Sequence, residues 1–122
     1  MRFFNTIFGS KSDDNSSNLN WNQLSELSQL DTIVENSATR TQVIFKHSTR
    51  CGISRAVLKQ FEKKVIEDAD LYYLDLLSYR AISNELAQKF NVIHQSPQLL
   101  VIKDGKVTAH DSHYDLLSVE IS

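Results

Sequence analysis

One change of hydrophobic period constrains this chain more than any other feature. Val43-Ile44-Phe45 is a short apolar run, β-branched and aromatic, which suits a buried central strand. After Cys51 the apolar positions Ile53, Val57, Phe61 and Val65 recur every fourth residue, with Leu58 alongside, and the period becomes helical up to about Glu67-Asp68. Between the two lies Lys46-His47-Ser48-Thr49-Arg50-Cys51-Gly52-Ile53-Ser54, which holds the only cysteine. A strand that turns through small polar residues into a helix leaves Cys51 at the helix start. Unpaired backbone N–H groups and the positive end of the dipole there favour a thiolate.

The other elements follow from the same kind of reading. Residues 1–19 are expected to form a flexible leader, because their polar, turn-rich part offers nothing to a core. The apolar start, Met1 to Gly9, is too short and too interrupted for a signal peptide. A single domain is expected over 20–122, since the length holds one core and no more. From Trp21, apolar residues at 24, 27, 30, 33 and 34 predict a first helix capped by Asn20 or Asn22. A second strand is predicted around Leu71-Tyr72-Tyr73-Leu74. Tyr79, Ile82, Leu86 and Phe90 form another helical stripe, with Ser78 as its N-cap and Asn91 as its stop. Gln98 to Ile102 and Lys106 to His110 read as strands joined by the two-residue hairpin signal Asp104-Gly105. A short final helix carries Tyr114, Leu116, Leu117 and Val119. Strands alternating with helices imply parallel pairing with right-handed crossovers, and the closing hairpin makes the sheet mixed. The expected fold class is α/β, a four-stranded mixed sheet flanked by helices on both faces.

Charge and cysteine usage narrow the function classes. The formal net charge is −2, which gives no general attraction to nucleic acid or to an anionic membrane. No apolar run approaches the roughly 20 residues of a membrane helix. One cysteine excludes an internal disulfide framework, and a lone thiol suits the reducing cytoplasm. No Cys or His pair has a zinc spacing, so no metal is expected, although His110 and His113 stand three apart. An anion loop of the phosphatase kind needs arginine six residues after the cysteine, and position 57 is valine.

A lone cysteine is commonly a small buried hydrophobe. Cys51 is instead fenced by Ser48, Thr49, Arg50, Gly52 and Ser54, and Lys46, His47 and Arg50 bring positive charge. Each favours the nucleophilic thiolate. Ser54 stands where a dithiol oxidoreductase has its second cysteine. It can hydrogen-bond a thiolate but cannot resolve a mixed disulfide, and local bonding to the backbone is the alternative role. An external thiol must therefore release any adduct from Cys51. Pro97, the only proline, begins a strand that the topology sets beside the Cys51 turn. As an ordinary X–Pro bond it would be trans.

Phe45-Lys46-His47-Ser48-Thr49-Arg50-Cys51, continued by Ile53-Ser54, resembles the active-site segment of the YtxJ-like monothiol bacilliredoxins, bacillithiol-system proteins of thioredoxin-like fold. The resemblance extends over about 20–120. Trp21 with its leucines resembles the family's first helix. Ser96-Pro97-Gln98 resembles the cis-proline strand of thioredoxin-like folds, and Ser112-His113 the segment after the last strand. Gly52 departs from the proline often found after the cysteine.

The resemblance implies a cytoplasmic thiol–disulfide reductase. Cys51 would take bacillithiol from a mixed disulfide on a client protein, and a second bacillithiol would free it. It also implies that Thr49, Arg50, Gly52 and Ser54 surround the thiol ligand, that Ser96 and Pro97 pair with its peptide-like part, and that Ser112 and His113 hold its far end. An N-cap is the alternative role for Ser112. No bound cofactor is expected, bacillithiol is a co-substrate, and the protein is expected to act as a monomer. Two other readings stay open: a non-catalytic redox sensor or binding module modified at Cys51, and metal-cluster carriage by a dimer.

Overall fold

The computed structural model describes residues 19–121. The expected leader lies outside the described residues except for its last residue, Leu19, which is buried against the core. The elements in order are β1 (Trp21–Gln23), α1 (Ser28–Asn36), β2 (Thr41–His47), α2 (Gly52–Phe61), β3 (Ala69–Asp75), α3 (Arg80–Lys89), β4 (Gln98–Lys103), β5 (Lys106–Ser112) and a 3₁₀ helix (His113–Ser118).

The sheet has five strands, not four, in the order β1-β3-β2-β4-β5. The additional strand is Trp21–Gln23, expected to begin the first helix. It pairs in parallel with Leu71, Tyr72 and Tyr73. Tertiary contacts override the helical spacing here. The Trp21 ring packs 6.0 Å from the rings of Phe45, Phe61 and Tyr73, and its indole N–H donates to Glu62 at 2.7 Å. Asn22 does not cap a helix; its side chain donates to the Leu71 carbonyl. The helix begins only at Ser28, where the Gln29 side-chain oxygen accepts Ser25 and Glu26 N–H. Leu27, expected on the apolar face, is exposed as a result.

β2 is central and pairs with β3 in parallel and β4 in antiparallel register, so six of its seven residues are buried. Alternation divides them between two cores. Val43 and Phe45 face Val57 and Phe61 of α2 and Leu116 of the 3₁₀ helix, and Ile44 faces Leu30 and Ile33 of α1 and Ile82 and Leu86 of α3. Helices thus cover both faces, as expected.

Turn chemistry sets the remaining ends. Asn91 takes a left-handed conformation (φ 55°) after α3, as a helix-stop asparagine should. Asp104 and Gly105 both have positive φ, 51° and 76°, as a type I′ hairpin demands. Ser37 at the end of α1 anchors that turn: its hydroxyl accepts Gly105 N–H and its carbonyl accepts Asp104 N–H, both at 2.8 Å. Ser78 is not the N-cap of α3. Its hydroxyl donates to Asp75, whose carboxylate also accepts Leu77 N–H. The repeat after Cys51 also runs past the helix: α2 ends at Phe61, and Val65 is exposed.

Candidate active site

β2 delivers the chain to one end of the sheet at His47, and Ser48–Cys51 turns it into α2. Cys51 N–H bonds the Ser48 carbonyl at 3.2 Å, and the Cys51 carbonyl accepts Arg55 N–H at 3.1 Å. Cys51 is the N-cap residue, extended at φ −105°, ψ 122°, with no side-chain cap bond. Its thiol is half-buried and has no hydrogen-bond partner among the described residues. The sulfur therefore stands at the positive end of a ten-residue helix, beside backbone N–H groups that the helix leaves unpaired.

The turn is held from both sides. Arg55 donates to the Thr49 carbonyl at 3.1 Å. Ser54, fully buried, accepts Ser48 N–H at 3.1 Å and lies 2.8 Å from His47 Nδ1. Of the two roles expected for Ser54, ligand contact or local bonding to the backbone, its hydroxyl has the local one and serves the turn. Thr49, Arg50 and Gly52 are exposed around the thiol. A Cβ on Gly52 would meet only the Arg55 guanidinium at 4.0 Å, so space does not demand glycine there.

The charge around Cys51 differs from what the sequence suggests. The His47 side chain is buried under α2, its ring 5.6 Å from Tyr73. Burial pushes its pKa below the ordinary histidine value, Asp75 and a hydrogen bond to the Ser54 backbone oppose this, and Arg55 adds to it. At neutral pH His47 supplies a hydrogen-bonding ring and no charge. Lys46 follows the alternation of β2 and shares the face of Ile44, opposite α2. It is 1% exposed, and burial lowers its pKa to about 8. Of the three cationic neighbours, only Arg50 is exposed beside the thiol, and Arg55 joins it.

Register brings two further segments to the same end. Lys46 pairs with Gln98, so the residues before Gln98 lie beside the turn that leads to Cys51. The Ser96–Pro97 bond is cis, and the Ser96 hydroxyl oxygen is buried without a partner among the described residues. Ser112 stands opposite Gln98 on β5, and His113 N–H bonds the Pro97 carbonyl at 3.0 Å. Ser112 precedes the 3₁₀ helix but makes no side-chain cap. His113 is exposed in a left-handed conformation (φ 54°). Thr49, Arg50, Cys51 and Gly52 thus share one end of the sheet with Ser96, Pro97, Ser112 and His113. Sequence reasoning missed Arg55 and the His47–Ser54 contact. The only signal for the contact was their seven-residue separation across the turn.

Residues 22–121 match the family described as monothiol bacilliredoxin BrxC. The chain belongs to the monothiol bacilliredoxin family. A solved chain described as a candidate oxidoreductase with a thioredoxin fold is 33% identical, with a TM-score of 0.70 over 79% of this chain and 85% of that one. Reduced Schistosoma mansoni thioredoxin preprotein is 22% identical (TM-score 0.61, 80% and 90% covered) and spinach chloroplast thioredoxin f is 16% identical (TM-score 0.60, 77% and 75% covered). These last two share the fold alone. A monothiol bacilliredoxin of thioredoxin-like fold is a thiol oxidoreductase, and Cys51 is the only thiol this one has. No helix among the described residues is long and apolar enough to cross a membrane.

Proposed function

We propose that the protein removes bacillithiol from mixed disulfides on client proteins, by two exchanges at one sulfur. The Cys51 thiolate attacks the bacillithiol sulfur of the mixed disulfide. A Cys51–bacillithiol disulfide forms, the client S–S bond breaks, and the electron pair leaves with the client thiolate, which takes a proton from water. The thiolate of a second bacillithiol then attacks the adduct. Bacillithiol disulfide leaves, and the Cys51 thiolate returns. Overall the second bacillithiol sulfur is oxidised from thiol to disulfide, one client cysteine is reduced, and the first bacillithiol sulfur stays in a disulfide throughout.

The observation that supports this reading is the state of position 54. The residue that would resolve an adduct intramolecularly is a buried serine whose hydroxyl is engaged with His47 and Ser48. The adduct on Cys51 thus needs a thiol from outside. The exposed Thr49, Arg50 and His113, the half-buried Ser112 and the backbone at Ser96 would hold that small thiol, and no bound cofactor takes part. In this reading the protein acts as a monomer in the cytoplasm on bacillithiolated proteins.

The test mixes a bacillithiolated protein with wild type or Cys51→Ser and follows both masses, with bacillithiol, glutathione or coenzyme A as the second thiol. Wild type is expected to strip the client and to turn over with bacillithiol. An adduct that forms on Cys51 and stays there, whatever thiol is added, identifies a sensor and ends the reductase reading. Equal activity of Cys51→Ser ends both.

A further inference from the structure

Cys51 is the N-cap of α2 and Ser54 its third residue. Side chains at these two positions are neighbours, the geometry on which a capping box depends. Yet no hydrogen bond joins the Ser54 hydroxyl to the sulfur. The oxygen accepts Ser48 N–H, and its one proton needs an acceptor, because a buried donor left unmade is costly. The only other group bonded to Ser54 Oγ among the described residues is His47 Nδ1, at 2.8 Å.

One tautomer of His47 satisfies both groups of that contact. His47 is buried and faces Tyr73 and Asp75 of β3 and Ser54 and Arg55 of α2. Its ring is neutral at pH 7, so one nitrogen carries a proton and the other accepts. Were the proton on Nδ1, the Ser54 proton could turn only to the Cys51 sulfur, and no hydrogen bond joins the two here. Ser54 therefore donates to Nδ1, and Nε2 carries the ring proton.

We propose that His47 is a positioning residue for Cys51: by accepting the Ser54 hydroxyl proton at Nδ1, it withholds that proton from the sulfur and fixes the turn Ser48–Cys51. A thiolate without that hydrogen bond keeps more of its nucleophilic character. This inference rests on Cys51 being the exchanging thiol. Its test reads the sulfur directly and needs neither bacillithiol nor a client.

Cys51 of the full chain is alkylated with iodoacetamide across a pH series, in wild type, His47→Leu, His47→Asn, Ser54→Ala and the double variant that combines His47→Leu with Ser54→Ala. Leucine removes the acceptor, which frees the Ser54 proton for the sulfur. The profile of His47→Leu is expected to move to lower pH, with roughly threefold more thiolate at a fixed pH on its acid limb, the factor a net hydrogen bond commonly supplies. Asparagine, with a side-chain oxygen near the place of Nδ1, is expected to restore the wild-type profile. In the Ser54→Ala background the change to leucine is expected to move nothing. The same shift without Ser54, a shift to higher pH, or no shift overturns the proposal.

Trp21 emission reports the fold of each variant, because the ring packs on Phe45, Phe61 and Tyr73. A second measurement needs no variant. The ring nitrogens of histidine-labelled wild type are expected to show Nδ1 bare and Nε2 protonated at pH 7.5. The opposite tautomer overturns the proposal.

Discussion

Lys46 and Gln98 stand opposite each other in the β2–β4 register, and this pairing sets the thiol turn beside cis Pro97. Lys46 is one residue from His47, and Gln98 follows Pro97. The Gln98 amide donates to the Ile93 carbonyl at 2.9 Å, which ties the loop before Pro97 to β4. The site is thus assembled by a ladder pair whose members are both polar and both buried.

The Lys46 half of that pair costs stability. Its ammonium has no ion pair among the described residues, and burial brings its pKa from 10.5 to about 8. Below pH 8 the folded state carries a desolvated charge, and stability rises as pH climbs from about 8 toward 10.5, where the unfolded chain still holds the proton. Lys46→Met keeps the length and drops the charge. It is expected to stabilise the protein by about 1–3 kcal/mol at pH 7 and to flatten that rise. Urea midpoints at pH 7, 9 and 10.5 measure both. A loss of stability at pH 7 would show that the ammonium is well solvated.

Trp21 shows where local pattern and tertiary packing part. Trp21→Phe keeps a ring among Phe45, Phe61 and Tyr73 but loses the N–H that Glu62 accepts. The expected cost is about 1–2 kcal/mol, the loss of a hydrogen bond to a charged, half-buried partner. Glu62→Gln in the Trp21→Phe background is expected to add little, because the two groups act as a pair. Denaturant unfolding followed by far-UV dichroism reads the cycle. A free-standing helix start at Trp21 would make the two effects additive.

Much of the fold was legible because each period was clean. The run Val43-Ile44-Phe45, the four-residue repeat through Phe61 and the Asp104-Gly105 turn all became the elements their chemistry specifies. β1 was not legible. Three residues hold too little pattern to outvote leucines spaced like a helix, and only the Trp21 contacts decide. At the site, Cys51 and its helix start were readable from small polar neighbours. The charge of His47 and Lys46 was not, because it depends on burial, and consecutive strand residues point to opposite faces. For Ser54 the sequence offered both a ligand contact and a local backbone bond, because it gives the position on the helix and not the partner behind it.

Gly52 follows the cysteine directly, and the structure leaves room for a proline there. Position 52 is the first of α2, where proline is favoured because its missing N–H has no helical partner. Cys51 already has the extended backbone that precedes proline well. Gly52→Pro is expected to stabilise the protein by about 0.4–1 kcal/mol by restricting the unfolded chain, while Cys51 keeps its thiol chemistry. Thermal unfolding and the alkylation rate together check this. A lower melting point would mean that the Gly52 backbone lies outside the range proline allows.

His47 also makes stability depend on pH. Its folded pKa is lowered, chiefly by burial and further by Arg55, against the pull of Asp75. In the unfolded chain the ring titrates near pH 6.5. Between those two values the unfolded state binds more protons, so stability rises with pH. It is full above pH 6.5 and falls as pH drops toward the folded pKa, where the ring must be charged within the core. His94 is lowered as well, by burial and then by the charges of Lys46 and Arg80, and it acts in the same direction. Urea midpoints from pH 5 to pH 8 are therefore expected to climb and then level off near neutrality. His47→Asn removes one titrating group and keeps an acceptor for Ser54, so its curve should climb less steeply over the same range. A curve as steep as that of wild type would place the whole effect outside His47.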